Sequence, residues 1–190
     1  MKIGFLITAR LKSKRLPRKI VRNVNGEPLI VHMIKRLKHS KEVDEIIICT
    51  SKLKQDDLLE KISRTEGVKC YRGHSDDVLK RLSKAAAKHK LSYILNITAD
   101  CPLVDPFYAD KIVKLYRKTN ADLIRAFDLP HGAFSYGFKI SALNKAIKIK
   151  NTKFTANWEK YFTDTGIFKI VDLKVKNKLH RRPGLRMTLD

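Results

Sequence analysis

The 190-residue chain predicts an α/β fold, a mostly parallel sheet covered on both faces by helices. Three observations carry this. Short apolar runs alternate with amphipathic stretches of helical period as far as about residue 128. The strand-like runs, such as Phe5-Leu6-Ile7 and Ile46-Ile47-Ile48, are apolar throughout, as strands buried on both faces are. Each is followed by a segment long enough for the crossover that parallel neighbours need.

The elements follow in order. Residues 2–8 read as a buried strand that stops at a polar loop. Residues 29–39 place Leu29, Ile30, Met33, Ile34 and Leu37 at helical spacing, with Pro28 suited to the first turn. Residues 44–50 are a second strand. Residues 55–66 are a helix ended by Gly67. A short strand runs from Val68 to Tyr71, and a basic amphipathic helix over 76–90 turns Val78, Leu79, Leu82 and Ala86 inward. Residues 92–97 form a third long strand, residues 106–118 a helix starting at Pro106, and residues 121–127 a further strand. Beyond 128 the alternation loosens. Strands are expected at 136–140 and 167–173, helices near 141–149 and 156–163, and a return strand at 185–190. The expectation is one domain over 1–190, with about 130–165 a lobe or insertion within it.

Composition limits the function classes. Hydrophobic residues at 43% supply a core, which excludes global disorder. The formal net charge of +22 favours anionic partners: nucleotides, nucleic acid, polyphosphates or an acidic surface. Cys49, Cys70 and Cys101 are too few and too widely spaced for a disulfide framework or a cysteine zinc site, which fits a reducing compartment. No apolar run reaches the roughly 18–20 residues of a membrane span. Eight Lys/Arg precede the first acidic residue, Glu27, yet the chain opens on a strand-like run, so a removed leader is not expected. The six histidines show no zinc-ligand spacing.

In open sheets of this class ligands sit beyond the carboxyl ends of the strands. The loop after the first strand, residues 9–19, packs six cations into ten residues. Several convergent cations with backbone donors are what a triphosphate requires, although a solvated basic loop reads the same way. The loop has no glycine, so it is not a P-loop of the Walker type. At the end of the third long strand stands Thr98-Ala99-Asp100-Cys101-Pro102. A carboxylate there suits Mg²⁺, which takes few carboxylates plus waters and phosphate oxygens, while a turn reading is also open.

The pattern A-R-x-x-S-x-R-L-P-x-K after the first strand resembles the cytidylyltransferases that activate acidic sugars. The resemblance extends to Gly26-x-Pro28-Leu29, to Tyr71-Arg72-Gly73 with Asp76-Asp77-Val78-Leu79-x-Arg81, to Thr98-x-Asp100-Cys101-Pro102-Leu103-x-Asp105-Pro106, and to Leu185-Arg186-x-Thr188-x-Asp190. Spore-coat-polysaccharide, acylneuraminate and 3-deoxy-manno-octulosonate types are the nearest in pattern. The resemblance implies a three-layer α/β/α Rossmann-like nucleotide-diphospho-sugar transferase fold with a small dimerisation lobe. It implies CMP transfer from CTP to an acidic sugar, with pyrophosphate leaving. By position it places Ala9, Arg10, Ser13, Arg15 and Lys19 on the nucleotide phosphates, and Arg72, Asp77 and Arg81 near base and ribose. It gives Mg²⁺ to Asp100 and Asp190, and makes Arg10, Lys19 and Asp100 the catalytic set. It further implies a cytoplasmic homodimer acting in surface polysaccharide or glycan synthesis, with no specific nucleic acid partner. Where the family shows acidic residues near the lobe this chain has Phe134 and Tyr136, and it stops before the family's C-terminal helix. Two alternatives stay open: a nucleotidyltransferase using another NTP and a sugar phosphate, and a catalytically degenerate homologue that binds polyanions.

Overall fold

The computed structural model describes residues 1–12 and 16–189. Four strands built as expected form its parallel half: β1 (Ile3–Thr8), β4 (Glu45–Ser51), β5 (Lys69–Gly73) and β6 (Tyr93–Thr98). A two-residue hairpin, β2 (Asn23–Val24) and β3 (Glu27–Pro28), leads into helix α1 (Leu29–Leu37). Then come α2 (Asp57–Thr65), α3 (Val78–Lys88) and α4 (Pro106–Thr119). The later part supplies β7 (Leu123–Arg125), β8 (Tyr136–Lys139), α5 (Ile140–Ile149), α6 (Lys160–Thr163) and β9 (Ile170–Asp172).

The seven-stranded sheet runs β5-β4-β1-β6-β8-β7-β9. Only β8 is antiparallel to its neighbours, so one strand of the expected lobe is built into the main sheet. Side chains of β1 alternate between two cores. Ile3, Phe5 and Ile7 pack under α1, α2 and α4, and Leu6 packs under α3 and α5. Both faces of one strand are therefore dry, which is why its sequence shows no polar alternation. Burying each such side chain contributes about 1.5–3 kcal/mol.

Caps set the helix bounds. Asp77 accepts from the Lys80 amide and starts α3 two residues later than its periodicity suggests. Asp105 does the same for α4 through the Phe107 amide at 2.8 Å, with Pro106 in the first turn. The helix expected over 156–163 shrinks to α6, preceded by turns.

The return strand expected at 185–190 is not formed over the described residues. Arg186 makes one isolated parallel bridge to His131. The segment pairs with a turn, not a strand: His131 donates to the Leu185 carbonyl and Met187 donates to that of His131. A turn offers no row of partners, so pairing ends after one residue. Gly132 lets the segment lie close, since a Cβ there would stand 2.6 Å from the Met187 carbonyl oxygen. No described helix is long and apolar enough to cross a membrane.

Candidate active site

The carboxyl ends of β1 and β6 are level, with Thr8 opposite Thr98. The loops that follow them meet there. Ala9 is buried and donates to the Cys49 carbonyl, and Ala99 donates to that of Thr8. Lys19, on the short 3-10 turn Lys19–Val21, crosses to Asp100. Its ammonium lies 2.9 Å from Asp100 Oδ2 and 2.5 Å from the Leu189 carbonyl oxygen. The Leu189 amide in turn donates to the Asp100 carbonyl at 2.8 Å. The Thr98 hydroxyl donates to Asp100 Oδ1. Cation, carboxylate and C-terminal segment thus converge beyond the ends of two central strands.

A second cationic pair lies beyond β5. Arg10 Nη1 donates to the Ser75 carbonyl at 2.6 Å and to Asp76 Oδ1 at 2.9 Å. Arg81 Nη1 donates to the same Ser75 carbonyl at 3.0 Å and to that of His74 at 2.6 Å. Arg81 is fully buried, and its Nε and Nη2 have no hydrogen-bond partner among the described residues. Burial, and then the nearby Arg10 charge, pull its pKa below the ordinary arginine value. Asp76 is held below the usual carboxylate range by the Ser75 hydroxyl first, and by Arg10. Gly73 makes room for Arg81: a Cβ there would meet Arg81 Cγ at 3.1 Å.

The structure therefore brings Arg10 together with Arg81, and Lys19 with Asp100. Arg72 and Asp77 are placed otherwise. The Arg72 guanidinium is taken up by Asp57 at 2.6 Å, Glu60 at 3.0 Å and the carbonyls of Ser51 and Leu53, bracing α2 against the sheet. Asp77 is buried under α3, where it receives Lys150, the Thr155 hydroxyl and its own cap amide. Burial opposes its charge, but the Lys150 hydrogen bond and the cap outweigh that and lower its pKa. Ser13, Arg15 and Asp190 lie outside the described residues.

Sequence reasoning missed Asp56. It is fully buried and accepts from the Leu11 amide at 2.8 Å and from the Ser51 hydroxyl, so it tethers the start of the basic loop to the end of β4. An acidic doublet at a helix start was its only sequence signal, and that reads equally as a cap. Tyr136 and Phe134 stand in an edge-to-face aromatic group with Phe127 and Trp158. Burial, reinforced by Glu159, pushes the Tyr136 hydroxyl pKa far up, so it stays neutral.

Among the described residues no group of three or more His, Cys, Asp or Glu is arranged to hold a metal ion. A lone carboxylate with phosphate oxygens and waters is nonetheless a normal Mg²⁺ environment, so Asp100 fits that ion.

The chain is 32% identical over 134 residues to spore coat polysaccharide biosynthesis protein SpsF of Bacillus subtilis, covering 68% of this chain and 56% of that one. It is 31% identical over 116 residues to a 3-deoxy-manno-octulosonate cytidylyltransferase of Chlorobium phaeobacteroides, covering 61% and 46%. The chain thus spans about half the length of these two relatives. A solved cytidylyltransferase from Leptospira borgpetersenii superposes with a TM-score of 0.88 at 28% identity, over 100% of this chain and 82% of that one. The sequence profile of the Cytidylyltransferase family matches residues 5–181, and the chain belongs to that family of nucleotidyltransferases.

Proposed function

We propose that the protein transfers CMP from CTP to the hydroxyl of an acidic sugar, releasing pyrophosphate, in the synthesis of a surface polysaccharide or glycan. The observation that carries this is the buried Arg81, with two nitrogens unpaired among the described residues, beside Arg10 at the strand ends. Unpaired buried donors on a cation favour an anionic ligand. The family and the names of the relatives support CTP and an acidic sugar as the substrates.

The reaction needs no protein nucleophile. The sugar hydroxyl attacks the α-phosphorus in line, an O–P bond forms, the bond to pyrophosphate breaks, and the hydroxyl proton passes to solvent water. Arg10, Arg81 and Lys19, with Ser13 and Arg15, hold the phosphates and offset charge on the leaving group. Lys19 exchanges its bond with Asp100 for a phosphate oxygen. Asp100 and Asp190 would hold Mg²⁺, which would supply positive charge to the phosphoryl oxygens. Asp77 and Arg72 act at one remove, by fixing α3 and α2. Exposed Ile149 and Phe154 on the lobe support a homodimer through it. Three free cysteines and the use of CTP support a cytoplasmic location.

Pyrophosphate release, measured with each of the four NTPs, candidate acidic sugars and graded Mg²⁺, tests this. CTP alone should support turnover, and Asp100→Asn and Asp190→Asn should each lower it about a hundredfold or more. Turnover with GTP and a sugar phosphate instead would replace the substrate assignment. Unchanged metal dependence in Asp190→Asn would remove that residue from the site.

A further inference from the structure

Five of the twelve exposed large apolar side chains among the described residues lie around adjoining concavities on one side of the molecule. They are Leu103 at 49% exposure, Phe107 at 55%, Leu179 at 76%, Leu185 at 51% and Met187 at 36%. All line a set of adjoining concavities between α4 and the C-terminal segment. The largest, about 460 Å³, has Phe107, Tyr108 and Leu115 between two rows of ammonium groups, Lys111, Lys114 and Lys118 on the helix and Lys174 and Lys176 opposite. The Tyr108 hydroxyl and His180 Nδ1, 2.9 Å apart, hold helix and segment together. Lys111 lies over the Phe107 ring at 4.8 Å. The acids on this side are already engaged: Asp105 caps α4, Asp110 receives the Ser40 hydroxyl and the Lys41 and Glu42 amides, and Glu42 pairs with Arg117 and, at 3.5 Å, with Lys114.

We propose that this side docks on the surface of an anionic lipid bilayer. Apolar side chains of this size, ringed by lysines, match the two layers of such an interface: acyl chains below, anionic headgroups around. A second copy of the chain does not match, because it would bring lysine rows against lysine rows on chains of net charge +22. A nucleic acid backbone accounts for the lysines but not for Leu103, Leu179 and Leu185, since phosphate contacts use cations and polar donors. The proposal is independent of the reaction assigned above. The face borders the strand-end crevice, because Leu189, which follows Met187 by two residues, pairs with Asp100. Docking here holds the crevice near the membrane plane.

The test is co-sedimentation of the full chain with vesicles of phosphatidylcholine alone and with 30% phosphatidylglycerol, at ~0.15 M salt. The protein should pellet with the anionic vesicles and stay in the supernatant with the neutral ones. Lys111→Glu with Lys114→Glu should weaken partitioning by roughly fivefold or more for each charge. Phe107→Ser with Leu179→Ser should weaken it as well, with the loss persisting at low salt, because it removes buried apolar area. Lys80→Glu with Lys84→Glu, matched in charge but exposed on α3 across the sheet, should leave it near the parent. Far-UV circular dichroism and the thermal midpoint serve as the folding control for all three variants. Absence of anionic vesicle binding overturns the proposal. So does equal loss in the α3 variant, or no loss in Phe107→Ser with Leu179→Ser. A dimer that protects Phe107, or competition by single-stranded DNA that ignores the apolar substitutions, would assign the face to another occupant.

Discussion

Two lysine–aspartate pairs stand among the described residues, Lys19–Asp100 in the crevice and Lys150–Asp77 behind α3. Their chemistry is the same and their surroundings are not. In the second pair the side chains are 10% and 2% exposed, and Thr155 and the Lys80 amide complete the carboxylate's shell. Lys150 also donates to the Thr152 carbonyl, so the pair stitches residues 150–155 to the start of α3. In the first pair the side chains are 14% and 26% exposed, at the meeting point of two loops. An enclosed pair with every acceptor used is part of the framework. A half-open pair at a strand end can release either partner to a ligand. Burial and completeness of the shell, more than the identity of the residues, separate structure from chemistry here.

Three substitutions sharpen that contrast. Asp77→Ala leaves the Lys150 ammonium buried without its partner and removes a helix cap. It should cost about 3–5 kcal/mol of stability, read as the urea midpoint at constant slope. A loss below about 1 kcal/mol would mean the pair is solvated and the contrast is wrong. Lys19→Ala and Arg10→Ala should do the reverse, with stability nearly unchanged. CTP affinity should fall by about 1.5–3 kcal/mol, roughly ten- to hundredfold by calorimetry. Unchanged affinity in both would remove the strand-end crevice from nucleotide binding.

The smallest effect concerns pH. His89 has a pKa below 6.5, first because burial disfavours its charge, and Glu45 only partly counters this. The unfolded chain therefore binds the proton more readily than the folded one. Stability should be complete above 6.5 and fall as pH drops through that value toward the folded pKa. Subtracting the His89→Gln melting curve from the parent's across pH 5–8 should isolate a decline in melting temperature at the acid end. A flat difference would show that His89 titrates alike in both states.

Much of this architecture is written in local pattern. Strands β1, β4 and β6 carry near-continuous apolar runs because both of their faces are dry, whereas the edge strand β5 does not, and Asp105, Pro106 and Gly67 mark element ends by their own backbone preferences. The crevice is legible in part: a cation cluster after β1 and a carboxylate after β6 point to one end of the sheet. What local pattern cannot convey is partnership across long separations. Asp77 at a helix start reads the same whether it meets a ligand or Lys150, which lies 73 residues away. Arg72 likewise looks free until α2 folds back and presents Asp57 and Glu60. The segment 185–189 alternates like a strand, but its neighbour is a turn, and only the fold decides that.

The bond from Lys19 to the Leu189 carbonyl joins residues 170 apart in the chain. Few contacts demand closure of so long a loop, and the entropy of closing it must be met before the contact returns any stability. Assembly of the crevice is therefore a late event. A chain emerging from the ribosome can complete β1, β4, β5 and β6 with their helices while the Lys19–Leu189 contact is still out of reach. The ordering has a direct reading in pulse-labelled hydrogen exchange: the Leu189 amide should gain protection after the amides of β1 and β6, and lose it first when the native protein opens.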